Sequence, residues 1–141
     1  MTMLPLPLPN AKRPVFDARI GSNSFGDLPD WNLDDLYTAP DAPELERDMA
    51  WLETACADFA RRYEGKLAGL SAAELLTCIT DYEAIDVIAG RIGSYAGLRY
   101  YQNTMDSDRA KFMADVQSDI TDFTTPLVFF SLEFNRLEDG A

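Results

Sequence analysis

The chain has 141 residues, which is enough for one domain with a hydrophobic core and too few for two domains of ordinary size. Its formal net charge is −12, so phosphate backbones and anionic membrane surfaces repel it, and neither nucleic acid nor membrane is an expected partner. Histidine is absent, which excludes a Ser-His-Asp or Cys-His catalytic site and an imidazole-ligated zinc site within these residues. The acidity could attract cationic peptides, although in most chains such acidity serves solubility.

Residues 1–40 are predicted to form an extended arm that ends in a capping turn. Prolines alternate with leucines from Leu4 to Pro9, which favours a polyproline-like path that lies in a groove or remains a frayed terminus. The first residues lack the leading positive charge and unbroken apolar helix of a secretory signal, and no apolar run approaches the roughly 20 residues that span a bilayer. We therefore expect a cytoplasmic protein. Residues 31–37 should form a short apolar turn, capped by Asn32 or Asp34.

Residues 41–141 are predicted to form an all-α bundle domain of about three long antiparallel helices. The first helix should open near Asp41, with Pro43 in its first turn, and end at Gly65. Its apolar residues recur every three or four positions, which is typical of a helix that packs on one face. They are Leu45, Met49, Leu52, Cys56, Phe59 and Tyr63.

The second helix should begin at a capping box formed by Ser71 and Glu74 and should run towards Gln102. Its apolar residues cover much of its circumference, which indicates a central position with neighbours on more than one side. Cys56 of the first helix and Cys78 of the second lie on apolar faces, so buried reduced thiols are expected, with a disulfide as the less favoured alternative. Three glycines inside the second helix predict close approach of another helix or, as a sharper alternative, of a bound backbone. They are Gly90, Gly93 and Gly97.

The third helix carries a seam of large apolar residues from Met113 to Leu137 at alternating steps of three and four. Pro126 lies within this seam and should kink the helix, because proline removes a backbone hydrogen bond. After the proline, the helix is apolar on nearly all sides, so this half is either buried deep among helices or faces something absent from this chain. The second is favoured, because a three-helix domain cannot bury so much apolar surface. We therefore predict that three residues of this segment contact a partner domain. They are Val128, Phe129 and Leu132.

Candidate sites for chemistry are few, and no catalytic or metal-binding residue is predicted. The carboxylates of Asp115, Asp119 and Asp122 share one helix face, which is more typical of a solvated surface than of a metal or acid/base site. A cluster of arginines and tyrosines in the second helix could receive a peptide through stacking and carbonyl hydrogen bonds; packing with salt bridges is the alternative interpretation. The cluster consists of Arg91, Tyr95, Arg99, Tyr100 and Tyr101.

Several stretches resemble the oligoendopeptidase F family. Residues 31–37 are similar to its Trp-x-Leu-x-x-Leu-Tyr opening, and residues 91–100 are similar to the Ser-Tyr-Ala element of its second long helix. The Asp-Ser-Asp break at 106–108 and the Pro-Leu-Val-Phe-Phe stretch at 126–130 follow in the family's order. The resemblance covers about residues 31–139, the N-terminal helical domain of these thimet-oligopeptidase-like zinc metallopeptidases.

This resemblance implies a domain that walls a channel for short peptides, with the arginine–tyrosine cluster as its lining. The family's zinc ligands, two histidines of H-E-x-x-H and a downstream glutamate, cannot be carried over, because the chain contains no histidine. We therefore expect an excised domain or a natural truncation that lacks its C-terminal catalytic domain and is inactive alone. The alternative is a stand-alone helical interaction or dimerisation module. We expect self-association in either case, because a domain separated from its partner also leaves apolar surface that can pair with a copy of itself.

Overall fold

The computed structural model describes residues 30–138, so the Leu-Pro arm predicted within residues 1–29 lies outside the described part. Helices make up this part and no strand occurs in it, which confirms the predicted all-α class. The helices belong to one compact unit that begins at Trp31. They are α1 (Pro43–Tyr63), α2 (Ala72–Gln102), α3 (Ser107–Thr124) and α4 (Val128–Glu138), with single 3-10 turns at Leu67–Gly69 and Thr125–Leu127.

The ends of α1 and α2 follow from local sequence. Pro43 occupies the first turn of α1 behind the N-cap Ala42, and Gly65, with φ of +75°, carries the chain out after Tyr63. A left-handed φ of this kind suits glycine because other residues are strained there. The capping box is confirmed: the Ser71 hydroxyl accepts from the Glu74 backbone N–H, and the Glu74 carboxylate accepts from the Ser71 N–H.

The core lies where α1 and α2 run antiparallel and α3 covers their seam. Phe59 of α1 is fully buried, and four aromatic rings surround it at centroid distances between 4.8 and 6.0 Å. Those rings belong to Tyr63, Tyr82, Phe129 and Phe130. Cys56 and Cys78 are both fully buried free thiols, as predicted, and burial raises the pKa of each.

The third predicted helix is divided into two α-helices by a single 3-10 turn. α3 ends at Thr124, one 3-10 turn contains Pro126, and α4 begins at Val128. The hydroxyls of Thr124 and Thr125 donate to the carbonyls of Ile120 and Thr121, each at 2.7 Å. A kink was predicted at the proline, and the structure has a 3-10 turn there. The seam on both sides of it packs into the chain's own core, with Val116 and Leu127 buried and Ile120, Phe123, Phe130, Phe134 and Leu137 packed against them.

Only one of the three glycines inside α2 lies against another helix. A Cβ at Gly93 would lie 3.7 Å from the Ile120 side chain of α3, which is ordinary contact. A Cβ at Gly90 would meet nothing, and one at Gly97 would meet only Tyr101 of the same helix. The predicted close approach of another helix is therefore wrong at Gly90 and Gly97, because α3 passes α2 near Gly93. The alternative of a bound backbone stays a prediction.

Two surface features complete the fold. Asp115, Asp119 and Asp122 are exposed, which confirms the predicted solvated acidic face of α3, and Asp115 is paired with Lys111 one turn away. None of the helices within residues 30–138 is long and apolar enough to cross a membrane.

Candidate functional site

Arg91, the first residue of the arginine–tyrosine cluster, belongs to a clamp around Asp48. Asp48 is 7% exposed, and its carboxylate accepts from the Tyr37 hydroxyl at 2.9 Å, from Arg47 at 3.1 Å and from Arg91 at 3.4 Å. Arg91 also donates to the Leu36 carbonyl at 2.5 Å, and its guanidinium lies 4.4 Å from the centre of the Tyr37 ring. The Asp48 clamp thus fastens the turn at residues 31–37 to both α1 and α2.

The clamp shifts the acidity of Tyr37. Burial, followed by the hydrogen bond to the Asp48 carboxylate, raises the pKa of Tyr37 from 10.0 to about 12. The phenol therefore remains a hydrogen-bond donor throughout the physiological pH range. Because the Asp48 carboxylate is buried and accepts from three donors of this chain, the cluster stabilises the fold.

Tyr95 and Arg99 lie on the same side of α2 as Arg91, but the structure does not place them alike. Tyr95 is 2% exposed and packs edge-on against Tyr37 and Phe112, with centroid distances of 5.4 and 6.1 Å. It is therefore a core residue and has no surface left for a peptide. Arg99 borders a cleft of about 170 Å³ beneath the turn at residues 31–37.

Tyr100 and Tyr101 complete the predicted cluster on other sides of α2. Their rings lie 5.4 Å apart, and Tyr101 is 61% exposed. The structure therefore does not bring the five residues to one surface. Arg91, Tyr95 and Arg99 lie beneath the turn at residues 31–37, whereas Tyr100 and Tyr101 lie on other sides of α2. A peptide-lining role stays a prediction, and Arg99 and Tyr101 are the members whose side chains have room for it.

The predicted partner-contact residues of α4 also differ in how far they are exposed. Val128 is 59% exposed and Leu132 is 56% exposed, and the two lie one turn apart on the outer side of the helix. Phe129 is half-buried, with its ring 6.0 Å from that of Phe59, so it packs inward. We call Val128 and Leu132 the α4 surface. A groove of about 410 Å³ between α2 and α4 adjoins it, and Val128 forms part of its wall.

Sequence reasoning missed a second apolar surface, on α1 and α2. Trp51 is 43% exposed and Val87 is 67% exposed, and a groove of about 590 Å³ lies between them. We call this the Trp51 groove. A signal was present in the sequence: Trp51 stands off the apolar stripe of α1, and a large aromatic residue at a position expected to be solvated marks a contact surface.

No cluster of potential metal ligands is formed within residues 30–138. No group of three potential ligands among histidine, cysteine, aspartate and glutamate lies close enough there to hold an ion. The zinc that the family resemblance implies therefore has no ligand set in this part of the chain. The described residues also contain no buried side-chain nitrogen or oxygen without a hydrogen-bond partner that would point to a bound group.

Comparison with known proteins identifies no relative: no family model matches the chain, and no curated protein or solved structure matches it. The fold and its surfaces define an all-α domain with two apolar surfaces in the described residues. Any functional assignment rests on the sequence motifs and on those surfaces.

Proposed function

We propose that this chain is the N-terminal, channel-wall domain of a zinc-dependent oligoendopeptidase that hydrolyses short peptides. The ordered motifs at residues 31–37, 91–100 and 126–130 support the family. The observation that carries the role is the α4 surface, where Val128 and Leu132 lie side by side next to a groove.

The packing of α4 explains why this surface suits a partner domain. Phe130 and Phe134 direct α4 into the core, with the Phe130 ring stacked 4.3 Å from that of Tyr82. Val128 and Leu132 lie on the other side of the helix, so burying them requires something other than the core of this domain. Neighbouring exposed apolar residues beside a groove are typical of interaction sites.

In this proposal the domain positions and restricts substrates and does no chemistry. The catalytic domain, with its H-E-x-x-H motif, would supply the metal, and the α4 surface would rest against it. Arg99 and Tyr101 would face the peptide channel, where a guanidinium and a phenol can bond to peptide carbonyl groups.

The coding sequence beyond the codon for Ala141 tests this proposal. We expect the reading frame to continue and to encode H-E-x-x-H downstream. A stop codon directly after Ala141, with no such motif in frame, would refute it.

A stand-alone interaction module is the second candidate, and the same α4 surface favours it. The long seam of α3 and α4 no longer supports a coiled coil, because its residues pack into the chain's own core. Under this alternative, light scattering should show a dimer that Leu132→Asp converts to a monomer. Leu76→Asp is the matched control, since Leu76 is 66% exposed on α2. A wild-type monomer would count against the module.

A further inference from the structure

The Trp51 groove lies on the side of the α1–α2 hairpin that neither α3 nor α4 covers. Along α2, Thr80, Ala84 and Val87 line it, whereas Gly93 contacts α3 on another face of the same helix. A second cavity, of about 240 Å³, continues along the hairpin on the other side of Trp51. The indole thus divides one long furrow between two antiparallel helices.

The shape of this furrow suits a third helix. Side chains at helical spacing from an incoming helix pack between the rows of two helices that already lie side by side. Small and apolar residues form much of the wall, including Ala84, Val87 and Ile88. A helix laid there would cover Trp51 and complete the burial of the hairpin on its open side.

The charges at the groove favour a basic occupant. Among residues 30–138, Arg47 is the one basic residue that lines it, and Arg47 is paired with Asp48, which Arg91 also contacts. Glu83 stands on the wall of the groove, and no basic side chain of residues 30–138 lies within ion-pair distance of it. The groove is thus lined by one basic side chain, Arg47, and two acidic ones, Asp48 and Glu83, so its lining is net negative, in keeping with a net charge of −12 for the chain.

We propose that the Trp51 groove docks a basic amphipathic helix of a partner protein. Leucine-like side chains of that helix would lie against Trp51 and Val87, and a lysine or arginine would lie beside Glu83. This inference does not depend on the peptidase proposal, because the α4 surface takes no part in it.

Two synthetic helical peptides of equal length test the proposal with the whole chain. Both carry the same leucine stripe, and the outer positions are lysine in one and glutamate in the other. Trp31→Phe leaves Trp51 as the sole tryptophan, so its emission reports on the groove. We expect a saturable blue shift with the lysine peptide and none with the glutamate peptide. Equal responses to both peptides, or no response to either, would overturn the proposal.

Matched charge reversals separate docking from general attraction. Glu83→Lys should weaken binding of the lysine peptide by about fivefold, because an attraction at the surface becomes a repulsion. Asp119→Lys makes the same charge change on the exposed face of α3 and should leave the affinity nearly unchanged. Equal weakening by both would mean that net charge alone drives binding, which would refute the docking site.

An apolar variant provides a second line of evidence. Val87→Asp, at a 67% exposed position, should remove the blue shift while the far-ultraviolet circular dichroism stays that of the parent. A blue shift retained in Val87→Asp would show that the peptide lies elsewhere. If the emission of Trp51 shifts to the blue with rising protein concentration in the absence of peptide, a second copy of this chain occupies the groove, which would also overturn the proposal.

Discussion

Replacing Tyr37 by phenylalanine removes one hydroxyl from the Asp48 clamp and leaves the ring in place. The phenylalanine keeps the edge-on contact with Tyr95 and the contact with the Arg91 guanidinium, at 5.4 and 4.4 Å in the parent. What is lost is the 2.9 Å hydrogen bond to the buried Asp48 carboxylate. The change therefore tests whether this bond holds the turn at residues 31–37 onto the helices.

The expected loss of stability follows from the charge and burial of the pair. A hydrogen bond to a charged group contributes about 1.5–3 kcal/mol. Because Arg47 and Arg91 still donate hydrogen bonds to Asp48, we expect a loss at the lower end of this range, about 1.5 kcal/mol. For a domain of this size, that loss lowers the melting temperature by about 6 °C.

Urea unfolding at neutral pH measures this free energy, and Tyr101→Phe is the matched control. Tyr101 is 61% exposed, so loss of its hydroxyl should change the free energy of unfolding by less than about 0.5 kcal/mol. Equal stability of Tyr37→Phe and the parent would refute the account of the clamp, and so would equal losses in the two variants.

The same pair of proteins makes a prediction about pH. The pKa of Tyr37 is raised from 10.0 to about 12 in the folded state, so its stabilising effect is complete below pH 10 and is lost as the pH rises towards 12. The parent should therefore lose its advantage over Tyr37→Phe across this window. A difference that stayed constant from pH 9 to pH 12 would contradict the assignment.

Three further variants test the local structure by thermal and urea unfolding. Gly90→Ala should raise the free energy of unfolding by about 0.5–1 kcal/mol, since the added Cβ meets nothing and alanine favours the helix. Gly65→Ala should lower it by about 1 kcal/mol, because the φ of +75° strains an alanine, and a gain would contradict this. Glu133→Gln should cost about 1 kcal/mol by weakening the 2.6 Å bond from the Gly65 N–H; no change would show that the bond is dispensable.

Local rules predicted the helices well, because their signals lie within a few residues of each other. The Ser71–Glu74 capping box, Pro43 in the first turn of α1 and the left-handed Gly65 each act on the adjacent backbone. A distortion at Pro126 was also predictable as a kink, although the 3-10 turn was not. The two threonine hydroxyls that bond back to carbonyl groups there add to the effect of proline.

The surfaces were harder to predict because they depend on contacts distant in sequence. Arg91 and Tyr95 look like ligand-binding residues by type, yet Asp48, 43 positions before Arg91, engages the arginine, and Tyr37 covers the tyrosine. The pattern also could not show that Phe129 packs against Phe59 while Val128 and Leu132 remain exposed. The position of Trp51 off the apolar stripe of α1 indicates a contact surface, but spacing alone does not show that a groove lies beside it.

Peptide hydrolysis tests the central proposal most directly. The product of the complete reading frame and the 141-residue chain would each be given a quenched fluorescent peptide, with added zinc or with a chelator. We expect hydrolysis by the complete product that the chelator abolishes and zinc restores, and none by the 141-residue chain. A complete product without zinc-dependent peptidase activity, or hydrolysis by the 141-residue chain itself, would contradict the assignment of this domain as the channel wall of such an enzyme.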